Sequence, residues 1–304
     1  NEMYSAYRDF FARLTPLGAR HCSYGNRGIN ESDWGASRVD NFYRVALLCG
    51  DGVAMQNYLA TQERFNDWKG RRHTARSPWI DYVLPLYAEE PEPVLEADPV
   101  KLFPLEGWVT VSSAAPSDYQ AQQEAVGMVF ACRSRGGYGH AFRSENAFDI
   151  HAYGATIAVG GGTTSNQSTF ANHTMSHNTV LVNGREQEAA KSATVRNCGR
   201  VIAFRKEKDF VYWAGDATRS YAHDAGLARF VRHVLFVDNA YFVIFDDLAM
   251  HEDADPATFQ WLYHVTPTVG MDFDRETFSL RYQVDNTRVL LRHVANTSDL
   301  TYED

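Results

Sequence analysis

The chain has 304 residues, of which 44% are hydrophobic and 22% are charged. These proportions are typical of a folded globular protein with room for more than one domain. The formal net charge is -9, and this acidic balance excludes the broad basic surface that a nucleic-acid partner requires. No run of about 18 apolar residues occurs, so we predict no membrane span.

The first hundred residues have the apolar spacing of helices. Helices are predicted over residues 3–14, 38–49 and 53–68, because apolar side chains recur there every three or four positions. The glycine-rich piece PLGARHCSYGNRGINESDW between the first two helices is predicted to be irregular. Another short helix is predicted in SPWIDYVLPLY, where Ser77 would be the N-cap and the following proline the first helical residue.

A segment rich in Glu and Pro, AEEPEPVLEADP, marks the predicted boundary between residues 1–98 and residues 99–304. Beyond it the hydrophobic period changes to two, so GWVTVSS, VGMVFACR, FDIHAYGATIAV and NTVLVNG are predicted strands. Two hairpins are predicted with turns at Asp238-Asn239 and Asp285-Asn286. The sequence thus predicts an α+β protein in which a helical region precedes a large antiparallel β-domain.

A polar, glycine-rich segment, RGGYGHAFRSENAF, immediately precedes a strongly alternating strand. Glycines let the backbone approach a ligand closely, arginines present planar forks to carboxylates, and an imidazole exchanges a proton near neutral pH. This combination predicts a site for an acidic ligand. The side chains that would form it are Arg135, Tyr138, His140, Arg143 and Asn146.

The same segment resembles the heparinase II/III-like polysaccharide lyases. In that family a glycine-histidine pair opens a long strand of the β-domain and an HNT-containing strand follows; here these are Gly139-His140 and His177-Asn178-Thr179. The longer stretch SRGGYGHAFRSENAFDIHAYG is most similar to the exo-acting oligoalginate lyase branch. The resemblance implies the C-terminal helices of an incomplete α/α toroid, followed by a large antiparallel β-sandwich.

The resemblance also implies an activity, the cleavage of uronate-containing glycans by β-elimination to give 4,5-unsaturated uronates. Alginate oligosaccharides are the expected substrates, and no cofactor is implied. His140 would be catalytic, and Tyr138, Arg143, Arg135 and Asn146 would bind the acidic oligosaccharide or polysaccharide. The catalytic tyrosine of the family and its partner lie on the toroid, before the loop that Pro16-Leu17-Gly18 resembles. We therefore expect the rest of that toroid upstream of Asn1, and little activity without it.

Other readings of the sequence stay open at this stage. A lyase for another acidic glycan, such as a heparin-type polymer, would use the same arginine forks. A non-catalytic β-sandwich that binds carbohydrate would need only the recognition residues. A glycoside hydrolase built on an α/α toroid would need two carboxylates across the scissile bond, and no acidic pair occurs in a comparable glycine-framed setting.

The chain departs from the family at a structural zinc site. Many relatives hold zinc with a second histidine, an aspartate and the HNT histidine, but here Phe142 replaces the second histidine and the Gly160–Gly162 run replaces the aspartate. Only His177 remains, whereas a structural zinc needs about four ligands. His173 has ligand-like spacing to His177, and we expect these two to form a hydrogen-bonded structural pair.

We therefore predict that the protein binds no zinc at this place. After dialysis, elemental analysis should find far less than one zinc per chain, and a His177→Ala variant should have the same metal content as the parent. Stoichiometric zinc that is lost in the His177→Ala variant would contradict the prediction.

Overall fold

The computed structural model describes residues 2–14, 16–17, 22–24, 27–29, 36–69, 84–135, 142–161, 172–189, 198–265, 270–294 and 301. The three long predicted helices are confirmed as α1 (Glu2–Leu14), α2 (Ala36–Cys49) and α3 (Gly52–Lys69). Between α1 and α2 the expectation of irregular structure is wrong, because β1 (Cys22–Tyr24) pairs antiparallel with β2 (Arg27–Ile29). Of the fourth predicted helix the described part is a 3-10 turn, Leu84–Leu86.

The first large sheet is antiparallel and has five strands in the order β3-β4-β5-β6-β7. The stretch FDIHAYGATIAV, predicted as one strand, is divided into β6 and β7 by Tyr153 and Gly154, whose φ angles of 50° and 74° form a tight turn. A short helix, α4 (Tyr119–Glu124), begins after the N-cap Asp118. The strands are β3 (Lys101–Phe103), β4 (Trp108–Ser112), β5 (Val126–Ala131), β6 (Ala147–Ala152) and β7 (Ala155–Ala158).

The second large sheet has four strands in the order β12-β11-β10-β9. Its hairpin turns at Asp238 and Asn239 as predicted, and the φ angles of 50° and 54° are those of the turn type that matches strand twist. The hairpin predicted at Asp285 is also confirmed, between β15 and β16. The remaining strands are β8 (Val180–Val182), β9 (Arg200–Lys206), β10 (Phe210–Asp216), β11 (Leu227–Val237), β12 (Tyr241–Met250), β13 (Phe259–Trp261), β14 (Met271–Asp274), β15 (Ser279–Val284) and β16 (Thr287–Arg292).

The two large sheets enclose one hydrophobic core. Met128, Phe130 and Phe148 project into it from the five-stranded sheet, and Trp213 and Phe230 project into it from the four-stranded sheet. The rings of Phe130 and Trp213 meet edge to face with their centroids 6.0 Å apart. This arrangement is a β-sandwich, so that part of the predicted fold class is confirmed.

The helices contact the opposite face of the five-stranded sheet. Leu14 and Phe10 of α1 pack with Trp108 and Val129 of that sheet. Lys101 adds a 3.0 Å ion pair to Asp9 of α1. One face of this sheet therefore belongs to the sandwich core and the other to the helices. No helix among the described residues is both long and apolar enough to cross a bilayer.

The core of the sandwich contains one fully buried cation, Arg232 of β11. Its Nε and Nη2 donate to the Asp246 carboxylate at 2.7 and 2.6 Å, and its Nη1 donates to the carbonyls of Asn146 at 2.6 Å and Asn178 at 2.8 Å. The guanidinium also lies 5.4 Å from the ring of Phe148. A buried charge is tolerated only when its donors are satisfied in this way.

We predict that Arg232→Met lowers the free energy of unfolding by about 3–5 kcal/mol, because it leaves the Asp246 carboxylate and two carbonyls without their donor. Arg229→Met is the matched control on the same strand. The Arg229 side chain is 50% exposed and pairs with Asp247, which is 36% exposed, so its loss should cost about 1 kcal/mol or less. Denaturant unfolding measures both, and equal costs for the two variants would contradict the prediction.

His151 is buried on the helix-facing side of the five-stranded sheet. The imidazole occupies the space left by Gly127 on the neighbouring strand, where a Cβ would lie 2.4 Å from its Cε1. Its Nε2 has no hydrogen-bond partner among the described residues. Burial, assisted by the charge of Arg64 on α3, lowers the pKa of His151 from 6.5 to about 4.

This shift predicts a loss of stability in mild acid. Between the two pKa values the unfolded chain binds a proton that the folded chain does not. The free energy of unfolding therefore has its full value above pH 6.5 and decreases as the pH falls toward 4. For this group the loss between pH 7 and pH 5 is about 2 kcal/mol. We expect His151→Gln to flatten the pH dependence by that amount in denaturant unfolding, whereas His251→Gln, at an exposed histidine, should leave it unchanged. An unchanged slope in His151→Gln would refute the assignment.

Candidate functional site

The predicted site residues lie on the connection between β5 and β6. Tyr138 and His140 fall outside the described residues. Arg135 is partly exposed at the near end of this connection, and Arg143 and Asn146 lie at its far end. The structure therefore defines the two ends of the segment that carries His140, together with the contacts that fix them.

Arg133 joins these two ends. Its Nη2 donates to the Phe142 carbonyl at 2.8 Å, to Ser144 Oγ at 2.8 Å and to Glu145 Oε1 at 3.1 Å. The Glu145 carboxylate is 1% exposed and also accepts a hydrogen bond from the Arg133 backbone N–H. Burial raises the pKa of Glu145, although the Arg133 guanidinium opposes the rise. The pair therefore joins the end of β5 to the residues that directly precede β6.

Asn146 faces the interior of the sandwich. Its residue is fully buried, its φ angle is 60°, and its Nδ2 donates to the Gly215 carbonyl at 3.0 Å. A Cβ on Gly215 would lie 2.1 Å from Asn146 Oδ1, so that position has room only for glycine. The observed contacts of Asn146 hold the β-domain together. Its contact with a sugar stays a prediction, and it would require the side chain to leave this position.

Arg143 lies at the surface, in a cluster with His173 and Glu186. His173 Nδ1 is 2.7 Å from Glu186 Oε2, a distance that makes the nitrogen the donor. Arg143 Nη2 lies 3.3 Å from the same nitrogen and 3.5 Å from Glu186 Oε2, and its Nε donates to the Asn172 carbonyl at 3.3 Å. Its Nη1 has no partner among the described residues, so one edge of the guanidinium is available to a ligand.

A cavity of about 380 Å³ opens beside Arg143. Its volume lies within the range of sites that bind small ligands. Polar and charged groups form much of its lining, which suits a hydroxyl-rich or acidic ligand. The residues that line it are Arg143, Arg185, Glu186, Gln187, Glu188, Ala189, Ala222 and Ala225.

The residues at the zinc position of the family do not fit that ion. Phe142, which offers no ligand atom, packs its ring on the imidazole of His177 with the centroids 4.9 Å apart, and both residues are buried. His173 donates from Nδ1 to Glu186, so the expected pairing of His173 with His177 is wrong. Whether the protein binds zinc stays a prediction.

Arg185, Glu186 and Glu188 were not identified from the sequence. They follow the tight turn after β8, more than forty positions after Arg143 along the chain. The signal available was GREQE, a run of alternating charges directly after the HNT strand. Such runs usually form solvated turns, and only the pairing of the chain segments brings this one beside Arg143.

Comparison with solved structures identifies the fold. A heparinase III crystal structure superposes with a TM-score of 0.63 at 12% identity, over 97% of this chain and 41% of that one. The heparinase III BT4657 gene product superposes with a TM-score of 0.58 at 15% identity, over 91% of this chain and 36% of that one. The chain thus spans about two fifths of the length of these proteins, and at such identities the likeness concerns the fold alone.

A search of curated protein sequences gave no significant match. The family model described as heparinase II/III-like, C-terminal, matches residues 97–303. That region contains the loop of Arg143, the cavity and both large sheets of the sandwich. The chain therefore belongs to the heparinase II/III-like family and contains its C-terminal domain.

Proposed function

We propose that this chain is the substrate-binding and partly catalytic C-terminal portion of a polysaccharide lyase that cleaves uronate-containing glycans, with alginate oligosaccharides as the substrates. The observation that carries the proposal is the position of Arg143. It lies three residues after His140 in the family motif, it lines a cavity of about 380 Å³, and its Nη1 has no partner among the described residues. A guanidinium held by neighbouring groups is suited to a carboxylate ligand.

The proposed reaction is a β-elimination. The proton on C5 of a uronate leaves only when the adjacent carboxylate is neutralised, because negative charge builds up there in the transition state. A base then takes this proton, and an acid gives a proton to the departing O4. His140 would act at the carboxylate or in proton transfer. Arg143, Arg135 and Tyr138 would hold the carboxylate.

The remaining catalytic groups would lie on an upstream toroid that continues the helical region of residues 1–98. Two facts support this part of the proposal. The solved structures with this fold are more than twice as long as this chain, and α1 already packs on the sheet that ends at the predicted site. We expect little turnover from residues 1–304 by themselves.

The lyase is tested on the longest natural chain that carries this sequence, incubated with oligoalginate, heparin-type and other uronate oligosaccharides. Ultraviolet absorbance from the conjugated unsaturated uronate should rise with oligoalginate. A rise only with another polymer would correct the substrate. New reducing ends without absorbance would indicate hydrolysis, and binding without either signal would indicate a carbohydrate-binding module.

We predict that His140→Ala lowers kcat by about a hundredfold or more, which is the usual contribution of a group that transfers a proton. The matched control is His251→Ala, at an exposed histidine outside the predicted site, which should retain the parent rate. Circular dichroism should give the same thermal midpoint for all three proteins. A near-normal rate in a folded His140→Ala protein would remove His140 from the catalytic site.

A further inference from the structure

We propose that the cavity beside Arg143 is a binding subsite for a second uronate unit of the oligosaccharide, with Arg185 as its carboxylate ligand and Glu188 as an acceptor for its hydroxyl groups. The choice of ligand rests on the proposed function. Arg143 belongs to the motif that suggested that function, whereas the two proposed ligands, Arg185 and Glu188, lie outside it.

The cavity is lined by Arg143, which follows the predicted site residue His140 by three positions in the sequence. Arg143 lines it and is also attached, through Phe142 and the Arg133 clasp, to the segment that carries His140. A glycan held at that segment would therefore have its neighbouring unit at the mouth of the cavity. Successive sugars of a chain occupy adjacent positions, so a single groove would hold both.

The cations of the cavity are oriented before a ligand arrives. Arg143 is fixed by Asn172, His173 and Glu186, as described above. Arg185 Nη1 pairs with Asp224 Oδ2 at 3.1 Å, and the side chain is 52% exposed, so its remaining N–H groups are open to solvent. Each guanidinium keeps donors for an incoming carboxylate, and Arg143, which is held by Asn172 and Glu186, has less side-chain entropy to lose on binding than the exposed Arg185.

The acidic groups of the cavity have different roles. Glu186 is already bonded to His173 and contacts Arg143. The Glu188 carboxylate makes no hydrogen bond or ion pair with any described residue, although its backbone N–H donates to the Ser220 carbonyl at 2.7 Å. An exposed carboxylate that is anchored at its backbone is a suitable acceptor for sugar hydroxyls. Ala222 and Ala225 contribute only methyl groups, which leaves the space that a pyranose ring would fill.

The balance of charge predicts which ligands bind. The lining contains two cations, Arg143 and Arg185, and two anions, Glu186 and Glu188, so the site does not attract anions by net charge. A carboxylate must reach the guanidinium donors directly, and a compact acidic sugar satisfies this while its hydroxyls face Glu188. A neutral sugar would leave the donors of Arg185 without a ligand.

The experiment is isothermal titration calorimetry of the longest natural chain with a uronate monosaccharide and a saturated uronate tetrasaccharide. Arg185→Ala, Glu188→Gln and the cavity-filling Ala222→Leu should each weaken tetrasaccharide binding by about three- to tenfold, as expected for one surface charge-assisted contact. They should change monosaccharide binding by less than about twofold, since a single unit at the reacting position does not reach the second position. Arg205→Ala, at an exposed arginine near the end of β9, is the matched control and should bind as the parent does.

The outcomes separate this inference from the proposed lyase. If the chain produces unsaturated uronate and the three variants bind tetrasaccharide like the parent, the subsite is wrong and the lyase stands. If no unsaturated product forms but the three variants weaken tetrasaccharide binding, the lyase is wrong and the subsite stands. Equal affinity for a carboxyl-reduced tetrasaccharide, or no binding of any oligouronate, would also overturn the subsite. Thermal midpoints within the parent range establish that each variant is folded.

Discussion

The bidentate pair between Arg232 and Asp246 is the interaction on which the β-domain depends. Arg232 is on β11, in the middle of the four-stranded sheet, and its remaining donors reach two carbonyls outside that sheet. One carbonyl belongs to Asn146, at the entrance to β6, and the other to Asn178, in the HNT motif before β8. A single desolvated cation thereby fixes three separate parts of the chain relative to one another. Removing it would leave all of those partners buried without a donor.

A second polar network continues from this point toward the surface. The Glu145 backbone N–H donates to Gln187 Oε1 at 2.7 Å, while Gln187 Nε2 and Thr179 Oγ1 both donate to the Glu145 carbonyl, at 2.9 and 2.8 Å. Gln187 also lines the cavity. The network therefore connects the Arg133–Glu145 clasp to the wall of the proposed subsite. Buried networks in which most groups are paired, as here, are rigid, which is what a recognition site needs.

The polar motif SENAF therefore belongs to the buried frame of the β-domain and also directly follows a predicted ligand-binding residue. Ser144, Glu145 and Asn146 are buried and bonded to the frame, whereas Arg143, directly before them, is at the surface. Buried polar groups beside a ligand site need hydrogen-bond partners, and most of the groups in this motif have one. The contact of Phe142 with His177 belongs to the same frame. In this chain an aromatic contact occupies the place where the family resemblance implies a metal ion.

The sequence by itself determined the helices, most strands, the hairpin turns and the division between helical and β-rich regions, because these follow from local periodicity and turn chemistry. The prediction of one strand through Tyr153-Gly154 was wrong, because a turn divides it there. The hydrophobic pattern of a short apolar run does not indicate the position of such a turn. The sequence also predicted Arg143 as a site residue, and this stays a prediction. Only the tertiary structure decided that Asn146 is interior, that His173 pairs with Glu186, and that Arg185 and Glu188 meet Arg143 at a cavity. Those facts depend on which distant segments are brought together, and no local pattern encodes the contact between residues forty positions apart.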